Sequence, residues 1–246
     1  MDDTLPRHFR QLDGKEPFTF ACHPGVPCFT ECCRELDLAL TPYDVLRLKN
    51  GLGMHSGRFL ERYVIIEHDP ETIFPVCYLT MVDDGRASCV FVRPEGCSVY
   101  ADRPGACRAY PVGRGAARRQ DGTISERFLL IREPHCRGFA EAASQTAPQY
   151  LADQGLADYF RFNDPVTSLL QHPRIRAGFR PDRRQLDLYI LALYNLDMFR
   201  QEMADGRFAL RRPLAPAELQ GLAGDDEQLL LLAIRWLMQE FFAEET

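Results

Sequence analysis

The sequence predicts an α+β protein, in which a cysteine-rich metal-binding module with a small antiparallel sheet and short helices is followed by C-terminal helices. Three observations support this class. All nine cysteines lie in the first 136 of the 246 residues. β-Rich runs separated by turn residues occur in the same part of the chain, and residues from 183 onward have the apolar spacing of helices. We therefore expect a cysteine-cluster domain over residues 1–140 and a helical region over residues 141–246 packed on it.

The stretch after the first cysteines predicts two short helices. In LTPYDVLRLKNGLG, Thr41 is expected to be the N-cap, a proline occupies the first helical position, and Asp44 is placed for the reciprocal cap. Gly51 or Gly53 is expected to end this helix. Ser56 is expected to cap a second helix in SGRFLERYVII.

The pattern changes to β-strands between Thr72 and Val92. The runs TIFPVCYLTMV and ASCVFV are joined by DDGR, and Asp-Gly between such runs indicates a hairpin. Residues 125–133, SERFLLIRE, predict a further strand. The basic stretch RGAARRQDG before it is expected to be a solvated loop.

The last sixty residues predict helices. In DRRQLDLYILALYNLDMFRQEMADG, one apolar face recurs at helical spacing and Gly206 ends the pattern. The residues on this face are Leu186, Tyr189, Leu193, Leu196 and Met203. The segment DDEQLLLLAIRWLMQEFFAEE is apolar almost all round, so we expect it to be buried, with Trp236 in the packing.

Composition excludes several classes of protein. The net charge of −6 comes from 29 basic and 35 acidic residues, which lacks the basic excess of nucleic-acid-binding proteins. The longest apolar run, residues 229–238, is interrupted by Arg235 and is shorter than the roughly 20 residues of a membrane helix. The N-terminal MDDTLPRHFRQ has acidic residues where a signal peptide has basic ones. We expect a cytoplasmic protein that binds neither nucleic acid nor membranes.

Three interpretations of the cysteines compete. Disulfides are disfavoured because the number is odd, Cys32 and Cys33 are adjacent, and no export signal precedes them. Burial of a small apolar residue explains Cys77 within IFPVCYLTMV, but not the four cysteines between residues 22 and 33. Ligation of a metal or an iron–sulfur cluster is therefore favoured.

The first cysteine group has the pattern Cys-x5-Cys-x3-Cys-Cys in FACHPGVPCFTECCREL. Cys28 and Cys32 are four residues apart, so one helical turn would put both sulfurs on the same face. Cys33 would lie about 100° further round that turn and is available to a second metal or to another iron of a larger cluster.

The second cysteine group is rich in turn residues. It contains Cys89, Cys97, Cys107 and Cys136. Backbone shaped by turns can direct N–H groups at thiolate sulfurs and stabilise their charge. Arg103, Arg108 and Arg137 either offset the negative charge of several thiolates or are solvated surface residues.

An all-sulfur set of donors selects soft acceptors, which are zinc or the iron of a cluster. The predicted ligands are Cys22, Cys28, Cys32, Cys33, Cys89, Cys97, Cys107 and Cys136. They can form two four-ligand sites or one cluster with spare thiols, and Cys77 is left in a strand. An iron–sulfur cluster is preferred to zinc, because a cubane spreads its ligands around a larger object. His23 and His135 adjoin these cysteines and are expected to be exposed or to contact ligands rather than to bind metal.

These residues resemble the YkgJ-type cysteine-cluster proteins, whose domain is described as a zinc- or iron-chelating CxxCxxCC domain. The resemblance covers residues 18–140 and is carried by Cys22, Cys28, Cys32-Cys33, LALTPYDVLRL, GCSVYADRPGACRAYP and HCRGF. The first spacings are five and three residues here, where the family pattern has two and two. A related branch is similar to flagellin lysine N-methylases, so the resemblance also implies methyl transfer to a protein lysine as an alternative activity.

Three functions follow from these observations. The leading one is metal binding for electron transfer, sensing or structural stabilisation, with the metal ion or cluster as partner. The second is a metal-dependent protein-modifying enzyme with a pocket bordered by Tyr100, Arg103, Arg108 and Tyr110. The third is an interaction module whose residues 183–245 expose an apolar patch to a protein partner. Dinucleotide loops, phosphate loops, nucleophile elbows and zinc-protease helices are absent from the sequence, so catalytic residues stay unassigned.

Overall fold

The computed structural model describes residues 8–69, 71–208 and 214–242. The strands are β1 Phe9–Leu12, β2 Pro17–Thr19, β3 Ala39–Leu40, β4 Val64–Glu67, β5 Val76–Leu79, β6 Met81–Val82, β7 Ser88–Cys89, β8 Val92–Arg93, β9 Gly96–Cys97, β10 Val112–Arg118, β11 Ile124–Ile131 and β12 Ser144–Thr146. The α-helices are α1 Pro42–Gly51, α2 Ser56–Tyr63, α3 Gly105–Ala109, α4 Ala147–Asp153, α5 Ala157–Leu170, α6 Pro173–Arg176, α7 Arg183–Tyr194, α8 Leu196–Ala204, α9 Pro216–Leu222 and α10 Asp226–Phe242. Short 3-10 helices span Glu31–Cys33, Tyr100–Asp102 and Gly138–Ala140. The α+β class is confirmed.

The chain folds as two compact units, each assembled from two separate stretches. The described residues of unit 1 fall within Met1–Leu38 and Thr80–Arg161, and those of unit 2 within Ala39–Leu79 and Phe162–Thr246. This partition does not coincide with the expected boundary after residue 140, because α1 packs against α7 and α10. A functional division into residues 1–140 and 141–246 stays a prediction.

Unit 1 contains most of the strands. β1, β11 and β10 form an antiparallel sheet, β12 pairs with β2, and β6–β7 and β8–β9 are two small hairpins. The hairpin indicated by Asp-Gly is present, since Val82 pairs with Ser88. The prediction that the basic stretch RGAARRQDG is a solvated loop is wrong in part, because its first residues belong to β10. Arg114 is not solvated there: its guanidinium contacts Glu126 at 2.6 Å and lies 4.1 Å from the centre of the Phe160 ring.

Unit 2 combines the sheet β3-β5-β4 with helices. The capping box of α1 is present: the Thr41 N–H donates to Asp44 Oδ2 at 2.7 Å, and Thr41 Oγ1 accepts from the Asp44 N–H at 3.2 Å. The expected cap of α2 is wrong. His55 is the N-cap, because its Nδ1 accepts from the Gly57 N–H at 3.2 Å, and the Ser56 hydroxyl instead contacts Asn195 Oδ1 at 2.8 Å.

The apolar pattern of residues 182–206 forms two helices rather than one. The break falls at Asn195, whose φ of −106° and ψ of 57° are not helical. The apolar residues Leu193, Phe199 and Leu237 are fully buried, and Trp236 is 5% exposed. In the described part of the chain, the C-terminal helices therefore bury these apolar residues within unit 2, and a protein partner for them stays a prediction. Residues 243–245 of the predicted last helix lie outside the described residues.

A buried ion network joins the helices of unit 2. Lys49 Nζ lies 3.2 Å from Asp197 and 2.6 Å from Asp226, and all three side chains are at most 16% exposed. Arg200 contacts both carboxylates. Burial acts to raise the pKa of each aspartate, but hydrogen bonds and the charge of Lys49 outweigh it and hold both pKa values below their usual range. The helices of the described part of the chain include none that is long and apolar enough to span a membrane.

Candidate metal centre

Two backbone segments far apart in the sequence meet in unit 1 and carry Cys22 and Cys136. The Phe20 N–H donates to the Ala143 carbonyl at 3.0 Å, and the Ala21 N–H donates to the Gly138 carbonyl at 3.1 Å. A Cβ atom on Gly138 would stand 2.6 Å from the Ala21 oxygen. This close approach therefore requires glycine, and it places the two cysteine-bearing loops side by side.

Four of the eight predicted ligands line one small cavity. These cavity cysteines are Cys22, Cys28, Cys32 and Cys136. Cys28 accepts a hydrogen bond from the Arg137 backbone N–H, with 3.1 Å between nitrogen and sulfur. Cys28 and Cys32 face the same cavity as their four-residue spacing predicts, although a turn and a 3-10 helix carry them instead of an α-helix.

Three of the cavity cysteines, Cys22, Cys32 and Cys136, favour the neutral thiol while no cation is near. Burial, followed by the thiols of Cys32, Cys28 and Cys136, raises the pKa of the Cys22 thiol to about 11, although Cys22 as a whole residue remains exposed. A hydrogen bond with Cys33, and then burial, raises the pKa of Cys32. Burial likewise raises the pKa of Cys136. Several anionic sulfurs this close together need a cation to offset their charge.

Tyr110 and His135 complete the polar lining of the cavity. The Tyr110 hydroxyl is buried, and no group in the described residues makes a hydrogen bond of normal geometry with it. Burial, followed by the neighbouring Cys136, raises its pKa. A buried polar atom without a partner costs free energy unless a ligand satisfies it. The sequence predicted Tyr110 at the border of an enzyme pocket and did not predict it beside the cysteines of the candidate metal centre.

The two histidines differ in position. His135 lines the cavity, and its Nε2 lies 3.6 Å from Glu133. His23 has other partners: its Nδ1 accepts from the Gly25 N–H at 3.2 Å, and its Nε2 lies 3.5 Å from Glu141. Within the described residues, His135 is thus the histidine in the cavity wall.

The other predicted ligands lie outside the cavity wall. Cys33 ends the 3-10 helix Glu31–Cys33, Cys89 lies in β7, Cys97 in β9 and Cys107 in α3. Cys77 is fully buried in β5 of unit 2, where burial raises its pKa to about 12. All nine cysteines are within the described residues, and none of them forms a disulfide.

The arginines near the cysteines have defined partners. Arg103 donates to the Tyr100 carbonyl at 2.7 Å and to Gln154 Oε1 at 2.8 Å, and its charge acts to lower the pKa of Cys22 and of Cys97. Arg108 donates to the Gln154 carbonyl at 2.9 Å. The charge of Arg103 therefore acts on the thiols, whereas Arg108 bonds to the backbone of Gln154.

The donor chemistry of the cavity fits a soft metal, because sulfur ligands select zinc or the iron of a cluster. Over residues 8–69, 71–208 and 214–242, however, no three Cys, His, Asp or Glu side chains are placed to hold one metal ion. Binding of a single ion would require the sulfurs to lose their protons and draw together.

Comparison with known proteins gives one family. Residues 21–137, just under half of the chain, match the family described as "CxxCxxCC: Putative zinc- or iron-chelating domain". The matched range contains all four cavity cysteines and confirms the family resemblance seen in the sequence. A search of the curated proteins and a search of the solved structures found no match.

Proposed function

Because residues 21–137 carry the zinc- or iron-chelating CxxCxxCC domain, we propose that unit 1 binds an iron–sulfur cluster through the cavity cysteines, with zinc as the alternative metal. The observation that carries the proposal is that four cysteines from two segments far apart in the sequence line one cavity. In a protein without disulfides, such a group of thiols is typical of soft-metal ligation.

We prefer a cluster to a single ion because a cubane spreads its ligands around a larger object. A zinc ion holds its thiolates at about 2.3 Å in a tetrahedron, and no three side chains of the described residues approach that arrangement. A cubane is larger and accepts sulfurs that stand further apart. The backbone N–H of Arg137 at the Cys28 sulfur is a contact of the kind that tunes the potential of such a cluster.

The proposed use of the cluster is electron transfer, sensing or stabilisation of unit 1, in the cytoplasm. Free cysteines at this density persist in a reducing compartment. The enzyme alternative has less support, because of the four residues expected to border its pocket only Tyr110 lines the cavity.

Anaerobic purification of the full chain, followed by iron, sulfide and zinc analysis and a visible absorbance spectrum, tests the proposal. We expect a brown protein with iron and sulfide in equal amounts. The variants Cys28→Ser and Cys136→Ser should lose the colour, and Cys77→Ala, which alters a cysteine of unit 2, should keep it. A wild-type protein that folds and contains neither iron nor zinc would overturn the proposal.

A further inference from the structure

We propose that two copies of this chain associate by antiparallel pairing of their β4 strands, Val64–Glu67, so that the sheet of unit 2 continues into the same sheet of a second copy. The pairing surface lies in unit 2, and its role is therefore independent of the metal proposed for unit 1. The occupant of the surface is another copy of the same chain.

β4 is an edge strand with one open side. The sheet of unit 2 has the order β3-β5-β4, and in the described part of the chain no strand pairs with the far side of β4. In an antiparallel pair, alternate residues direct their backbone N–H and C=O groups away from the partner strand. Half of the backbone groups of β4 therefore point outward, where another strand can pair with them.

Two adjacent isoleucines make this edge apolar. Ile65 is 49% exposed and Ile66 is 45% exposed, and because side chains alternate along a strand, the two lie on opposite faces of the sheet. Ile66 pairs with Cys77, which in turn pairs with Leu40. Both of these partners are buried. The cover over this face of the sheet thus ends before it reaches β4.

Exposure on both faces decides how this edge can be covered. A helix or loop laid on one face would cover one isoleucine and leave the other in water. An added strand continues the sheet, so its side chains stand beside both isoleucines and its backbone pairs with the open N–H and C=O groups. Natural edge strands are commonly protected by charges, proline or a bulge, and Ile65 and Ile66 in the middle of β4 have none of these.

The charges around β4 indicate that the occupant is a second copy. Arg62 precedes the strand, Glu67 ends it and Asp69 follows, and all three residues are exposed. When β4 pairs with itself in antiparallel orientation about Ile65, the start of each strand lies beside the end of the other. Arg62 of one copy then stands next to the acidic end of the second copy, whereas parallel pairing would bring like charges together. The two-fold axis of such a pair makes every contact twice, as in most protein dimers.

Sedimentation equilibrium of the full chain as purified, with a reductant that prevents exposed Cys22 from cross-linking copies, tests the proposal. We expect a monomer–dimer equilibrium. Ile65→Lys and Ile66→Lys should each raise the dimer dissociation constant at least about tenfold, because each change removes an apolar contact twice per dimer. Val82→Lys alters a similarly exposed apolar residue in β6 of unit 1 and should leave the constant unchanged.

Charge reversal tests the antiparallel orientation. Arg62→Glu and Glu67→Arg should each raise the dissociation constant about two- to tenfold, since each dimer contains the contact twice. The double variant Arg62→Glu/Glu67→Arg again places opposite charges at the two ends of the strand and should recover most of the lost affinity. Circular dichroism shows whether each variant is folded.

The outcomes are distinct. A wild-type chain that stays monomeric at every soluble concentration overturns the proposal, whether or not any variant folds. A dimer that neither isoleucine variant weakens, or that Val82→Lys weakens equally, has its interface elsewhere and also overturns the proposal. A double charge reversal that recovers no affinity contradicts the antiparallel orientation. The iron, sulfide and zinc content tests the proposed function separately, because none of these variants alters a cysteine.

Discussion

Metal affinity of the cavity cysteines should keep rising with pH well beyond the range of ordinary thiols. A thiol that binds as a thiolate gives up its proton, so affinity increases with pH for as long as the metal-free thiol is protonated. An ordinary cysteine titrates near about 8.5. The pKa of Cys22 is raised to about 11, and the pKa values of Cys32 and Cys136 are raised as well.

The expected size of the effect follows from these pKa values. Between about pH 8.5 and 9.5, an ordinary thiol contributes roughly a twofold gain in affinity, because it is already half ionised. A thiol with the pKa of Cys22, about 11, contributes about tenfold over the same interval. Cys32 and Cys136, whose pKa values are also raised, add to this gain, whereas three ordinary thiols together would give about sixfold.

Competition for cadmium against a chelator of known pH dependence measures this slope. The variant Cys136→Ser should lower the slope by about one logarithmic unit per pH unit, since one ionising ligand is removed. A wild-type affinity that levels off above about pH 8.5 would show that the thiols are unperturbed, and the reasoning from burial and mutual repulsion would be refuted.

Two substitutions test the packing that supports the site and the fold. Lys49→Met should destabilise unit 2 by about 3–5 kcal/mol in denaturant unfolding at neutral pH, because it leaves two buried carboxylates with too little positive charge. The control variant Arg183→Ala, at an exposed ion pair, should cost less than about 0.5 kcal/mol. Both carboxylates have lowered pKa values, so the stability lost in Lys49→Met should shrink as the pH falls below about 4. A loss of stability under about 1 kcal/mol at neutral pH would contradict a paired buried charge. Gly138→Ala should cost about 1–3 kcal/mol and reduce the metal content, because its Cβ would stand 2.6 Å from the Ala21 carbonyl oxygen. Gly221→Ala, in α9 with no atom within 4 Å of the added Cβ, should not lower stability and should leave the metal content unchanged. Equal metal content in the two glycine variants would argue against the backbone contact.

Local features of the fold were predictable because the residues that decide them are close in sequence. The Thr41–Asp44 capping box and the Asp-Gly hairpin are examples, since each depends on a few neighbouring residues. The break at Asn195 was not predictable from periodicity. The apolar spacing continues through it, whereas its side chain is engaged by Ser56, which is remote in sequence. The same contact withdraws Ser56 from the cap of α2.

The sequence alone determined the chemistry of the candidate centre: many thiols in one part of the chain and turn residues beside them. It also carried the family resemblance, because the order of these motifs is a local property of the chain. Which sulfurs line the same cavity was decided only by the tertiary structure. Cys22 and Cys136 meet because the Ala21 N–H bonds to the Gly138 carbonyl, and no spacing rule encodes a hydrogen bond between segments so far apart in the sequence.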